Sequence, residues 1–131
     1  LDAAEGDDGK ISVDWEFGPC QGRVFMVTEQ AIDGVEISAP EHAAPGDAID
    51  VTVAIVGDDG QPIDAVVPVR VDVLDPHGRA AEFSGHYGAK DGRFEITAHL
   101  APNDVPGLWE IRAEELASGQ MGRAYLRVAW D

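Results

Sequence analysis

The chain of 131 residues is long enough for one domain with its own apolar core, and 25 acidic against 9 basic residues give it a net charge of −16. A field of this sign repels nucleic acid and anionic membrane surfaces, so neither is expected as a partner. No apolar run approaches the roughly 18 residues of a membrane helix, so membrane insertion is not expected. The acidity is compatible with a halophilic source and with calcium-rich surroundings outside the cell.

Cys20 is the single cysteine, which excludes an intrachain disulfide bond. The neighbouring sequence supplies neither a charge partner nor a second cysteine, so we interpret Cys20 as an unreactive, partly buried thiol. Because the sequence begins with Leu1 rather than methionine, we expect it to be a piece of a longer protein.

The first predicted element is a β-hairpin over residues 10–28. Apolar and polar side chains alternate along its first strand, and the apolar set is Ile11, Val13, Trp15 and Phe17. A turn at residues 18–22 leads to a second strand at residues 23–28. The alternation predicts that Trp15 faces a core.

From residue 31 onward the alternation of period two continues in short runs separated by Gly, Pro, Asn and Asp. Only residues 114–117 suggest a helical turn. The pattern predicts an all-β, immunoglobulin-like antiparallel β-sandwich of about seven strands, with the N-terminal hairpin added. The predicted strands cover residues 35–38, 49–55, 67–73, 80–87, 94–100, 109–114 and 121–128.

A polar turn containing Asn103 and Asp104 precedes a strand that opens with Trp109. An Asp, a Gly and then an aromatic residue resemble the corner that opens strand F of immunoglobulin-like sandwiches, where the aromatic residue is usually tyrosine. The alternative is a buried tryptophan at an ordinary strand start. Both interpretations place Trp109 in the core and give it no ligand.

Residues 45–128 resemble a macroglobulin-type immunoglobulin-like domain. The resemblance is carried by Pro45-Gly46-Asp47, by residues 69–79, by Asp91-Gly92-Arg93-Phe94 and by the corner at Trp109. It implies a spacer or contact surface in a larger protein rather than a catalyst, and the family's thioester motif is absent from this sequence.

Residues 10–28 are similar to the closing hairpin of the β-domain that ends many glycoside hydrolases. We therefore predict a division into residues 1–30, a hairpin extension or the tail of a preceding domain, and residues 31–131, the sandwich.

Acidic and histidine residues are the candidates for a metal or catalytic site. Asp7-Asp8-Gly9 and Asp58-Asp59-Gly60 suggest calcium, since hard cations prefer clustered oxygens, but turn chemistry explains both and the EF-hand spacing is missing. The histidines His77, His86 and His99 match no zinc-ligand spacing. Paired acids could hydrolyse a glycosidic bond, yet with 25 acidic residues such pairs arise by chance. We expect no catalytic residue, metal or cofactor.

Aromatic residues offer the remaining candidate site. Trp130, Tyr125 and Tyr87 could form a platform for sugar rings, because Trp15 and Trp109 are assigned to cores. The sequence thus predicts a non-catalytic accessory module of a larger, secreted or cell-surface multidomain protein, with other domains or a protein as partner. The alternative is a carbohydrate-binding or accessory domain of a glycoside hydrolase.

Overall fold

The computed structural model describes residues 2–130, and all regular structure in that range is β. No helix occurs among these residues, so the helical turn predicted at residues 114–117 is wrong; the strand runs on to Glu115 before a tight turn. The strands are β1 Ala3–Glu5, β2 Ile11–Val13, β3 Ile32–Ser38, β4 His42–Ala43, β5 Ala48–Gly57, β6 Val67–Leu74, β7 Gly85–Ala89, β8 Arg93–His99, β9 Gly107–Glu115 and β10 Met121–Val128.

Two sheets face each other. One has five strands in the order β4-β10-β9-β6-β7, and the other has three in the order β3-β5-β8. All neighbours in these sheets are antiparallel except β4 and β10, which run parallel. The chain is an immunoglobulin-like antiparallel β-sandwich, as the alternation predicted.

The core lies between the sheets and is mainly aliphatic. Alternate residues of each strand point inward, so that valine and isoleucine side chains from the two sheets meet. Each such side chain contributes about 1.5–3 kcal/mol when fully buried. The most deeply buried members include Val53, Ile55, Val67, Val69, Val71, Ile111, Leu126 and Val128.

The strand predicted at residues 80–87 begins later than expected. A turn closes at residues 81–84, where Ser84 N–H donates to the carbonyl of Ala81 at 3.0 Å. The Ser84 hydroxyl oxygen also accepts from Val73 N–H at 2.9 Å. These bonds fold residues 81–84 back onto β6, so β7 starts only at Gly85.

An N-terminal hairpin is present, but its strands differ from the prediction. Residues 6–9 form the turn, and β2 pairs with β1 in a register that sets Ala4 opposite Ser12. Residues 23–28 form no strand, so their predicted pairing with residues 11–17 is wrong. Trp15 is 40% exposed and therefore does not face a core. Cys20, expected to be partly buried, is exposed.

Candidate functional site

The structure forms a corner at Trp109, the first of the two interpretations that the sequence left open. The indole Nε1–H donates to the carbonyl of Val105 at 2.9 Å, and the side chain is 2% exposed. Asp104 accepts a hydrogen bond from Ala101 N–H at 2.7 Å, which closes the preceding turn. Trp109 thus takes the place of the usual tyrosine and fixes the entry to β9, a structural role.

A buried carboxylate at the other end of β9 was not predicted. Glu115 is fully buried and accepts from the backbone N–H groups of Ala117 at 2.9 Å, of Ser118 at 2.9 Å and of Gln120 at 2.7 Å, and from the Ser118 hydroxyl. Burial raises the pKa of Glu115, but the hydrogen bonds from Ser118, Gln120 and Ala117 outweigh it, so this pKa lies below its ordinary value. The carboxylate holds the turn between β9 and β10. Glu115 continues the inward alternation of Trp109, Ile111 and Ala113 and comes three residues before Ser118, which is the sequence signal that could have indicated it.

Asp75 plays the same part in the turn after β6. Its Oδ1 accepts from the backbone N–H of His77 at 2.8 Å and of Arg79 at 2.9 Å, and its Oδ2 pairs with the Arg79 guanidinium at 2.7 Å. Burial raises the pKa of Asp75, and the bonds from Arg79 and His77 lower it by more. This carboxylate is therefore committed to the turn.

The acidic turns proposed for calcium make the hydrogen bonds of turns. Asp59 Oδ1 accepts from Gln61 N–H at 2.9 Å, and Asp8 pairs with Lys10 at 2.8 Å. The three histidines weighed for zinc lie apart, with His77 in a turn, His86 on β7 and His99 at the end of β8. Within residues 2–130, no group of three or more His, Cys, Asp or Glu side chains is gathered to hold a metal ion.

The three aromatic residues proposed as a sugar platform are not brought together. Tyr87 stacks on Phe94 with ring centroids 5.1 Å apart, and its hydroxyl donates to the carbonyl of Phe83 at 2.7 Å. Tyr87 lies on β7 and Tyr125 on β10, three strand spacings or about 14 Å apart in the same sheet. Tyr87 therefore seals one edge of the sandwich.

Trp130 keeps an exposed ring beside an open cleft. It is 63% exposed, and the cleft of about 330 Å³ is lined also by His42, Asp47 and Arg127. Tyr125 is exposed on the outer face of β10 and does not line this cleft. Of the predicted platform, Trp130 is the residue that lies beside a cleft with polar side chains.

The outer face of the five-stranded sheet carries an arginine-rich surface that sequence reasoning missed. Four of the nine basic residues lie here, and salt bridges link three of them to neighbouring acids: Arg70–Glu114 at 2.8 Å, Arg112–Glu110 at 2.7 Å and Arg123–Glu110 at 3.5 Å. The hydrogen bonds from Arg112 hold the pKa of Glu110 below its ordinary value. The other two basic residues, Arg123 and Arg127, alternate with exposed Tyr125 on β10. This face, called the arginine face below, carries far less negative charge than the rest of the molecule.

A second exposed surface lies in the N-terminal region. The side chain of Val24 is 98% exposed and that of Val27 is 70% exposed, and Phe25 and Met26 are also exposed. Trp15 packs edge-on against Phe25 with centroids 6.0 Å apart, and the Arg23 guanidinium lies 5.0 Å from the Trp15 ring centroid. Trp15 and Phe25 thus contact each other, and neither belongs to the sandwich core.

The sequence matches no protein-family model, and no curated protein matches it. Solved structures share its fold. E. coli alpha-2-macroglobulin superposes with a TM-score of 0.63 at 21% identity, over 96% of this chain and 8% of that one. The Yersinia pseudotuberculosis adhesin InvE gives 0.55 at 15% identity, over 74% of this chain and 32% of that one.

A superoxide reductase, neelaredoxin from Ignicoccus hospitalis, gives a TM-score of 0.52 at 16% identity over 75% of this chain and 82% of that one. At these identities the similarity is one of fold. The chain spans less than a tenth of the macroglobulin and about a third of the adhesin. In residues 2–130, no helix is long and apolar enough to cross a membrane.

Proposed function

We propose that this chain is a non-catalytic accessory module, a spacer or protein-contact domain of a larger secreted or cell-surface multidomain protein. The buried carboxylate Glu115 and the turn carboxylates Asp75 and Asp104 all bind backbone amides of turns. They stabilise corners, which is what a rigid module needs. The fold shared with segments of a macroglobulin and of an adhesin supports the same proposal.

The observation that carries the spacer role is the parallel pairing of β4 with β10. Arg127 N–H donates to the carbonyl of Glu41 at 2.9 Å, and Ala129 N–H donates to the carbonyl of Ala43 at 3.0 Å. Because the strands run parallel, tension applied through the two ends of the domain pulls them in opposite directions along their length. All bonds of the pair then resist the load together, as a spacer under tension requires.

Single-molecule force spectroscopy tests this role. Ala129→Pro removes the N–H that bonds Ala43, whereas Ala129→Gly keeps it and serves as the control. We expect a lower unfolding force for the proline variant and a force near that of the original chain for the glycine variant. Equal unfolding forces for all three proteins would contradict the role of the β4–β10 pair in resisting tension.

The contact role is assigned to the arginine face. Arginine, tyrosine and methionine are enriched in protein interfaces, and Arg123, Tyr125 and Met121 follow one another on the outer face of β10. The remainder of the molecule is strongly acidic, so approach of an acidic partner is least opposed at this face. The partner would be another domain of the parent protein or a separate protein with an acidic surface.

A carbohydrate-binding or accessory domain of a glycoside hydrolase is the second candidate. The exposed Trp130 ring beside His42, Asp47 and Arg127 favours it, since sugar rings stack on aromatic faces and their hydroxyls bond polar groups. A glycan array followed by titration calorimetry tests it. Binding that Trp130→Ala abolishes and that Trp15→Ala, at another exposed tryptophan, leaves intact would support this candidate; no binding to any glycan would remove it.

The proposal of a non-catalytic role also has a direct test, because the fold is shared with a superoxide reductase. The purified chain is supplied with iron, and its bound iron and its consumption of superoxide are measured. We expect neither stoichiometric iron binding nor turnover. Catalytic turnover would overturn the proposal.

A further inference from the structure

Residues 23–29, here called the apolar segment, have the composition of a strand but no strand to pair with. They read Arg-Val-Phe-Met-Val-Thr-Glu, with β-branched and aromatic residues in a row. Within residues 2–130, the backbone of residues 23–27 makes no hydrogen bond to the rest of the chain. Both backbone edges of the segment are therefore open to a partner strand.

The side chains of the apolar segment are also uncovered. Val24 and Val27 are 98% and 70% exposed, and Phe25 and Met26 are covered only in part. Consecutive exposed apolar residues on an unpaired strand favour association with another chain, because pairing satisfies the backbone and removes apolar area from water. The segment has the features of one side of an interface.

The charges at the two ends of the segment indicate which partner chain it would pair with. Arg23 and Glu29 give the segment no net charge in a protein of −16, so the local repulsion between two copies is weaker here than at the acidic turns. Neither residue forms a salt bridge in the described part of the chain. Each charge is thus available to a partner that offers the opposite one.

We propose that the apolar segment pairs antiparallel with the same segment of a second copy of this chain, about a two-fold axis at Met26. A two-fold axis perpendicular to the sheet passes through a residue pair, so each register is centred on one residue. The register centred on Met26 sets Arg23 opposite Glu29 twice. It also sets Phe25 opposite Val27, an aromatic and β-branched pair that stabilises sheets.

The neighbouring register explains why the centre is placed at Met26. Centred on Phe25, the pairing would set Arg23 opposite Val27 and leave both charges without partners. Trp15 packs against Arg23 and Phe25 from one side of the segment and leaves the pairing edge and the Val24 side open. The pairing thus uses backbone edges that the folded chain does not use itself, while Arg23 and Phe25 keep their contacts with Trp15 on one side.

Sedimentation velocity over a concentration series tests the pairing with the full chain and single charge reversals. We expect a reversible dimer whose dissociation constant rises at least about tenfold in Arg23→Glu and in Glu29→Arg, since each creates two like-charge pairs across the axis. The controls Arg93→Glu and Glu95→Arg make the same changes in net charge at exposed positions on β8 and should leave the dimer unchanged.

Mixing provides the decisive measurement. Arg23→Glu and Glu29→Arg each weaken their own dimer, but a mixture of the two places opposite charges across the axis and should form a heterodimer. The double variant carries both changes in one chain and should dimerise like the original chain. Circular dichroism verifies that each variant is folded. A monomer at every concentration, or single variants no weaker than the β8 controls, or a mixture that does not associate, would each overturn the proposal.

Discussion

Replacing Glu115 by glutamine tests whether this buried carboxylate holds the turn between β9 and β10. Its Oε1 accepts from Ser118 and Gln120, and its Oε2 accepts from Ala117 and Ser118. Glutamine has nearly the same shape, but its amide nitrogen cannot accept a hydrogen bond and its oxygen carries no charge. Whichever way the amide lies, N–H donors of the turn face another donor.

The expected loss follows from these bonds. A hydrogen bond to a charged group contributes about 1.5–3 kcal/mol, and a buried donor left without a partner costs about 1–3 kcal/mol. Allowing the turn to relax toward water, we expect Glu115→Gln to lower the free energy of unfolding by about 2–4 kcal/mol. This is a large share of the about 5–15 kcal/mol that holds a typical domain folded.

Urea unfolding measures the loss as a shift of midpoint at constant slope. Glu114→Gln is the matched control, because Glu114 is the adjacent residue, points to the outer face and pairs with Arg70 at the surface. A surface pair contributes about 0–1 kcal/mol, so the control should change little. If the two variants lose the same small amount, the role assigned to Glu115 is wrong.

The pH dependence of the unfolding free energy is a second test of Glu115. The pKa of Glu115 is lowered in the folded state from its ordinary value of 4.5, so its contribution is fully present above that value and is lost as the pH falls through the folded pKa. The difference in unfolding free energy between the original chain and Glu115→Gln should be constant near neutral pH and shrink in acid. A difference that grows in acid would contradict the sign of this shift.

Three further predictions concern the sandwich. Trp109→Phe removes the indole donor of the corner and should lower the unfolding free energy by about 1–3 kcal/mol, measured by thermal unfolding; an unchanged midpoint would show that the bond is dispensable. Gly92→Ala should destabilise far more than Gly60→Ala: both have positive φ, but a Cβ at Gly92 would lie 2.5 Å from the carbonyl oxygen of Ile63, whereas one at Gly60 meets nothing within 4 Å. Equal losses in urea would refute the steric part of that reasoning. A shortened chain of residues 31–131 should fold and should unfold in one cooperative transition, since every residue of the core cluster lies after residue 31. Loss of the cooperative calorimetric transition would contradict the predicted domain division.

The arrangement of side chains along each strand could be predicted from sequence because it depends on a local property. In an extended chain, successive side chains point to opposite sides, so alternation at Val67, Val69, Val71 and Val73 identified a buried face. The burial of Trp109 after a polar turn was also predicted, because the turn and the aromatic residue are close in sequence. The all-β class and the inward faces of the main strands therefore followed from local order.

The functional surfaces depended on which strands are neighbours, and alternation carries no such information. The arginine face exists because β6, β9 and β10 are adjacent, which places Arg70, Arg112 and Arg123 on one surface although they are far apart in the sequence. The predicted aromatic platform failed for the same reason, since Tyr87 and Tyr125 lie on strands separated by two others.

The β-sandwich class, the buried faces and the burial of Trp109 could be read from the sequence, because each depends on residues within a few positions of one another. The hydrogen bonds that receive the Glu115 carboxylate, the exposure of Trp15 and the lack of a partner strand for residues 23–28 within residues 2–130 are visible only in the folded structure. Burial and pairing depend on what a second segment offers across space. An alternating run such as residues 11–17 has the same pattern whether or not a core lies beside it.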